Sequence, residues 1–139
     1  MNTSPFHAYE DILIHGKYGT AYRLQDAVIS LYNPHKYSFN RDNHWGGFDT
    51  HHREIYEKLI SWFHEHGRSE PTVEAICSSI IAQREKDASK CLAELKAIQA
   101  MNPESYPAED GLSGEDNYRG QLALLEYHVG KYRHEGFLG

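Results

Sequence analysis

The chain has 139 residues, 40% of them hydrophobic, and a formal net charge of −6 with its histidines neutral, enough for one domain to bury a core without disulfides or metals. That acidic balance opposes binding to a phosphate backbone, which needs a cationic face to release counterions, and the nearest basic group, Arg119 with Lys131, Arg133 and His134, is small. Cys77 and Cys91 are too few for a disulfide framework and form no Cys-x-x-Cys pair, and neither an export signal nor a run of about 18 apolar residues occurs, so a cytoplasmic protein without membrane contact is expected.

Phe6, Tyr9, Ile12 and Leu13 recur at helical spacing and predict a first helix over residues 5–15, with Pro5 in its first turn and Gly16 as its stop. Gly16-Lys17-Tyr18-Gly19-Thr20 lacks the full spacing of a phosphate-binding loop and reads as a turn. Thr20 is the expected N-cap of a second helix over residues 21–32, whose stripe is Ala21, Leu24, Val28 and Leu31 and which Pro34 ends.

Residues 33–48 keep no long periodicity, although Lys36-Tyr37-Ser38-Phe39 alternates enough for a short strand or an ordered extended piece. Connections of this length in a small domain are functional or disordered, and the rings of Tyr37, Phe39, Trp45 and Phe48 argue against disorder. Beside Lys36, with a hinge at Gly46-Gly47, this aromatic-rich loop has the composition of a recognition hot spot. The contact set read from it is His35, Tyr37, Phe39, Arg41 and Trp45. A competing role is a lid in which Trp45 and Phe48 tuck under the bundle; Phe48 suits the lid, Tyr37 and Trp45 the contact surface.

Asp49 or Thr50 caps a third helix over residues 51–66, closed by Gly67. At about 100° per residue, Ile55, Leu59, Trp62 and Phe63 share an arc with His52 and His66, while Arg53, Glu57, Ser61 and His64 lie opposite. After Glu70-Pro71-Thr72, a fourth stripe of Val73, Ile76, Cys77, Ile80, Ile81, Cys91, Leu92, Leu95 and Ile98 holds one phase to Met101. As one rod it would reach roughly 45 Å, longer than the roughly 37 Å of a compact domain of this size. A break near Lys86-Asp87-Ala88-Ser89 is therefore expected, with Ser89 as a new cap; the alternative is a continuous helix whose end finds a second chain. Arg84 interrupts this stripe and must pair or snorkel, with Glu85, Asp87 or Asp26 as structural partners, or else anchor an anionic ligand.

Residues 102–117, rich in Pro, Gly and acids, read as a surface loop, in which Ser113 of Gly111-Leu112-Ser113-Gly114 lacks the strand–turn–helix context of a nucleophile elbow. A last helix over residues 115–133 carries Tyr118, Leu122, Leu125, Val129 and Tyr132, and Gly120 and Gly130 each weaken it by about 1 kcal/mol relative to Ala.

Five of the ten histidines lie between His44 and His66. His52 and His66 share a face but stand roughly 21 Å apart along the axis, so they cannot chelate one ion. The metal set that survives this test is His44 with Asp49 and His51 or His52; its plain alternative is that Asp49 caps the helix while the imidazoles pack on rings or face water. Cys77 and Cys91 occupy buried phases and read as small apolar fillers.

Ala21-Tyr22-Arg23-Leu24-Gln25 through Leu31-Tyr32-Asn33, followed by Gly47-Phe48-Asp49 and an amphipathic helix, resembles small uncharacterised bacterial proteins carried by phages and plasmids. The resemblance covers residues 21–63, and the loop here is enlarged by residues 40–45 relative to that group. It implies an accessory role in a mobile element and transfers no catalytic residue.

The expectation is a single all-α domain, residues 1–139, of five or six helices with one long aromatic-rich loop. It acts as a non-enzymatic protein-binding module, an accessory or inhibitor of host defence, with another protein as partner, no cofactor, and a monomeric or homodimeric state. Two alternatives stand beside it: a metal-dependent enzyme using His44, Asp49 and His52, and a dimeric regulator meeting nucleic acid through the C-terminal basic residues.

Overall fold

The computed structural model describes residues 3–39, 48–109 and 111–139, and the fold is all-α. The helices are α1 (Pro5–Ala8), α2 (Gly19–Tyr32), α3 (Thr50–His66), α4 (Pro71–Gln99) and α5 (Gly114–Glu135), with a π-helical turn at Asp11–His15 and a 3-10 turn at Pro103–Ser105. Among the described residues no helix is long and apolar enough to cross a membrane. The chain forms two compact units, Met1–Gln83 and Arg84–Gly139.

In the first unit, α3 packs on α1 and on α2. Phe6 and Leu13 from the N-terminal turns meet Leu24, Val28 and Ile29 of α2, Ile55 and Leu59 of α3, and Val73, Cys77 and Ile80 of α4 in a core whose members are all fully buried. The predicted first helix is two pieces instead of one. After Tyr9 the backbone opens into the wider π turn, and the buried Gln25 carboxamide donates to the carbonyls of Ile12 (3.1 Å) and Gly16 (3.0 Å). A partner from α2 thus satisfies carbonyls that a helix end leaves open. Gly16 sits where a Cβ would come within 2.6 Å of the Ala21 Cβ, so only glycine lets the turn press against α2. Helix α2 starts at Gly19, with Tyr18 at the cap position and no side-chain cap bond, so Thr20 lies inside it rather than capping it.

Helix α3 begins as its sequence predicts. The Asp49 carboxylate accepts from the His52 backbone N–H, satisfying one of the orphan donors of the first turn, and Gly67 follows the last. Tyr56 is buried with Ile55 and Leu59.

The expected break in the fourth pattern does not occur: α4 runs unbroken from Pro71 to Gln99. Its interior between Thr72 and Gln99 holds neither Pro nor Gly, so nothing local interrupts the hydrogen-bond ladder. The length limit of one compact domain does not apply either, because the boundary between the two units falls inside this helix, at Gln83–Arg84. Arg84, 6% exposed, holds its guanidinium over the Phe137 ring at 5.4 Å, a contact favourable to a cation removed from water.

The second unit is built from the rest of α4, the 3-10 turn and α5. Ala88 and Leu95 of α4 and Tyr118 and Val129 of α5 are buried. The segment before α5 docks on its start through Tyr106 and Pro107: Tyr106 meets Tyr118 edge-on at 5.7 Å, and the Asn117 amide donates to the Pro107 carbonyl at 3.0 Å. Ser113 caps α5 by accepting from the Asp116 N–H. At the other end Gly136 adopts φ 93°, and Phe137 N–H turns back to the Tyr132 carbonyl. This left-handed cap drives Phe137 into the interior beneath Arg84.

Candidate functional site at the start of the third helix

Two rings of the segment between α2 and α3 pack on one tyrosine of α3. Phe39 lies 6.2 Å from the ring of Tyr56, and Phe48 lies 5.4 Å from the same ring. Phe48 and Tyr56 are buried and Phe39 half-buried, so residues 39 and 48 both pack on one side chain of α3.

Of the contact residues read from the sequence, His35 is exposed and Phe39 keeps part of its surface. Arg41 and Trp45 lie outside the described residues, as does His44 of the metal alternative. Tyr37 is corrected: at 4% exposure it is a core residue and offers a partner almost nothing. Residues 37–39 form no strand, and the Tyr37 N–H closes a turn onto the Asn33 carbonyl, which carries the ring inward just after Pro34 ends α2. Lys36 stands 5.6 Å from that ring.

Beside this anchor a chain of three polar side chains spans two elements. Asp49 Oδ1 and His52 Nδ1 are 2.8 Å apart, and His52 Nε2 and the Tyr18 hydroxyl 2.9 Å. The backbone N–H of His52 and then its side chain hold the Asp49 carboxyl below its ordinary value, so at neutral pH Asp49 is ionised and can only accept. Nδ1–H must therefore donate to it, and in the neutral ring Nε2 accepts from the Tyr18 O–H. The order acid, imidazole, hydroxyl is that of a nucleophile activated by a base which a carboxylate orients, with a phenol in the nucleophile's place. Tyr18 and Asp49 are exposed, whereas the His52 side chain keeps 14% of its surface.

A metal at His52 would have to displace Asp49 or Tyr18, since both ring nitrogens are engaged. No group of three or more His, Cys, Asp or Glu among the described residues is placed to hold an ion. Neither thiol is tuned toward the thiolate: burial pushes Cys77 up to about 12, with its Sγ 3.8 Å from the Val28 carbonyl, and burial with Glu94 nearby raises Cys91.

Glu54, Glu57, Ser61, Trp62 and Glu65 of α3 line a groove of about 520 Å³ with Thr3 and Pro5. Lys58 also borders it but turns its ammonium to the Tyr9 hydroxyl at 3.3 Å. The groove shares no lining residue with the Asp49–His52–Tyr18 chain. Trp62 is fixed by its ring against His66, at 3.9 Å, and by its indole N–H, which donates to Glu70. Burial alone would raise the Glu70 carboxyl, but the Thr72 hydroxyl, the Val73 N–H and the Trp62 indole outweigh it and hold the group below its ordinary value. Ser4 extends the network to the N-terminal segment through Thr72, at 2.6 Å.

Sequence reasoning found Asp49 as a cap and grouped it with His52 as possible metal ligands, but missed Tyr18. The Asp-x-x-His spacing is a local signal for the Asp49–His52 half. Tyr18 is 34 residues from His52, and only the packing of α2 on α3 joins them. Comparison with protein-family models, with curated proteins and with solved structures returned no match for this chain.

Proposed function

We propose that this protein is a non-enzymatic protein-binding module whose contact region is the aromatic-rich segment entering α3. The observation that carries the reading is the double anchor: Phe39 and Phe48, on either side of residues 40–47, both pack on Tyr56. Holding both ends of a long loop removes part of the ordering cost that a binding loop otherwise charges against affinity. Trp45, Arg41 and His35, with the open side of Phe39, are the contact residues, and Tyr37 belongs to the core. The acidic residues Glu104, Glu109 and Glu115 steer basic surfaces toward the protein. The biological setting, an accessory or anti-defence protein of a mobile element, rests on the resemblance of residues 21–63 to phage- and plasmid-borne proteins.

A photo-crosslinking residue at position 35 or 39 should join one partner from host lysate, and Trp45→Ala should abolish the adduct with an unchanged melting temperature. Retained crosslinking together with a fall of more than several degrees would make Trp45 a structural residue and sink the reading.

A second reading, an enzyme, is favoured by one observation, the Asp49–His52–Tyr18 chain. Its test is labelling of Tyr18 by a phenol-directed sulfonyl fluoride: loss of that labelling in His52→Ala supports a base-activated phenol, and equal labelling removes the enzyme reading.

A further inference from the structure

Helix α5 has two apolar faces, and the chain uses one. At about 100° per residue, Tyr118, Leu122, Leu125, Val129 and Tyr132 share the inner arc, and all are buried or half-buried. Centred on the opposite side are Gly120, Ala123, Leu124, Tyr127 and Gly130, all exposed, with Leu124 at 50% and Tyr127 at 65%. Among the described residues a Cβ built on Gly120 or on Gly130 meets nothing within 4 Å, so neither glycine is required by a described neighbour. Each nevertheless weakens the helix. Small residues flanking a Leu and a Tyr let another backbone approach closely while the two larger side chains interlock with it.

We propose that this face pairs with the same face of a second copy of the chain, antiparallel, about a two-fold axis near residue 125. The occupant is chosen by charge. On the outer arc the first turn carries Asp116, and the last turns carry Lys131 and His134. Antiparallel pairing sets Asp116 of each copy against the basic end of the other, whereas parallel pairing would set Asp116 on Asp116 and Lys131 on Lys131. The same arrangement opposes the two helix dipoles. It also brings Leu124 against Tyr127 of the partner subunit and lays the Lys131 stem over Gly120 of the partner subunit, the self-complementarity that a two-fold interface requires. From residue 116 to residue 134 the face is roughly 27 Å long and about 10 Å wide, well under the ~800 Å² per partner of a standard interface. The association is therefore weak and concentration-dependent. It uses none of the residues assigned to partner binding, and it stands or falls separately from that reading.

Sedimentation equilibrium of the full chain from micromolar to about millimolar concentration tests it. The wild type should pass from 16.0 kDa to a two-chain mass. Leu124→Glu, which water accommodates in the monomer, should raise the dissociation constant by about tenfold or more. Lys131→Glu should weaken pairing, and adding Asp116→Lys should restore it to within about threefold of wild type; circular dichroism matching the wild type verifies folding in each case. A wild type that stays at one chain throughout overturns the proposal, and so does association that Leu124→Glu leaves unchanged. A chain that stays monomeric yet crosslinks through position 124 to a different protein would assign the face to that protein instead.

Discussion

Helices α3 and α5 each bury one stripe, Ile55, Tyr56 and Leu59 in the first and Tyr118 and Val129 in the second, but their other faces differ in kind. The outer face of α3 is Glu54, Glu57, Lys58 and Glu65 around Trp62, a surface content in water apart from one ring that His66 and Glu70 already hold. The outer face of α5 is Gly120, Ala123, Leu124 and Tyr127, which water does not favour. Burial of the inner stripe alone therefore does not say whether a helix is finished. The opposite face does, and it marks the first unit as packed around its own core and the second as retaining an apolar surface to cover.

The largest effect should come from α3. Leu59 is fully buried, so Leu59→Ala should cost on the order of 2–5 kcal/mol by chemical denaturation, and Leu124→Ala next to nothing in dilute solution. An unchanged midpoint for Leu59→Ala would erase the contrast between the two helices. Next in size is Gln25→Ala, which leaves the Ile12 carbonyl with one donor fewer and the Gly16 carbonyl without the Gln25 amide; a loss of about 1–3 kcal/mol is expected. Native-state hydrogen exchange should show residues 11–16 opening first.

Gly120→Ala should act in the other direction. With open space around the new Cβ, it should stabilise the dilute monomer by about 1 kcal/mol. Destabilisation would mean that the outer face of α5 is already covered within the chain.

The smallest effect is on acid stability. Helices α3 and α4 of the first unit start on carboxylates, Asp49 and Glu70, whereas α5 starts on the Ser113 hydroxyl. Both carboxyls are held below their ordinary values of 3.8 and 4.5. Their contribution is thus fully present above those values and is lost as pH falls through the lower values of the folded state. The acid limb of the melting curve should flatten in Asp49→Asn and Glu70→Gln and stay unchanged in Ser113→Ala, after any uniform offset; equal flattening in all three would refute the assignment.

Much of the fold was legible because helical periodicity, caps and stops are local signals. Asp49 three residues before His52, the stripe Ile55 and Leu59, and Gly67 lie within one stretch of chain, and each can be read without knowing what surrounds it. The last helix was found the same way, and its outer apolar face was written in the same residues, although the eye settles on the stronger stripe. Residue spacing also determined that His52 and His66 could not share an ion, because distance along a helix axis is set by covalent geometry.

Tertiary structure alone decided the rest. Whether α4 would break depended on how the chain divides into compact units and on whether Arg84 would find a surface, which Phe137 supplies from more than fifty residues away. Tyr37 became core rather than contact because a turn onto Asn33 carries its ring inward, and an aromatic side chain has the same composition signature in either place. Tyr18 joined His52 and Asp49 only when α2 packed on α3. Sequence separation hides such meetings: the free energy that selects them comes from surfaces buried together, and those surfaces exist only once the chain has folded.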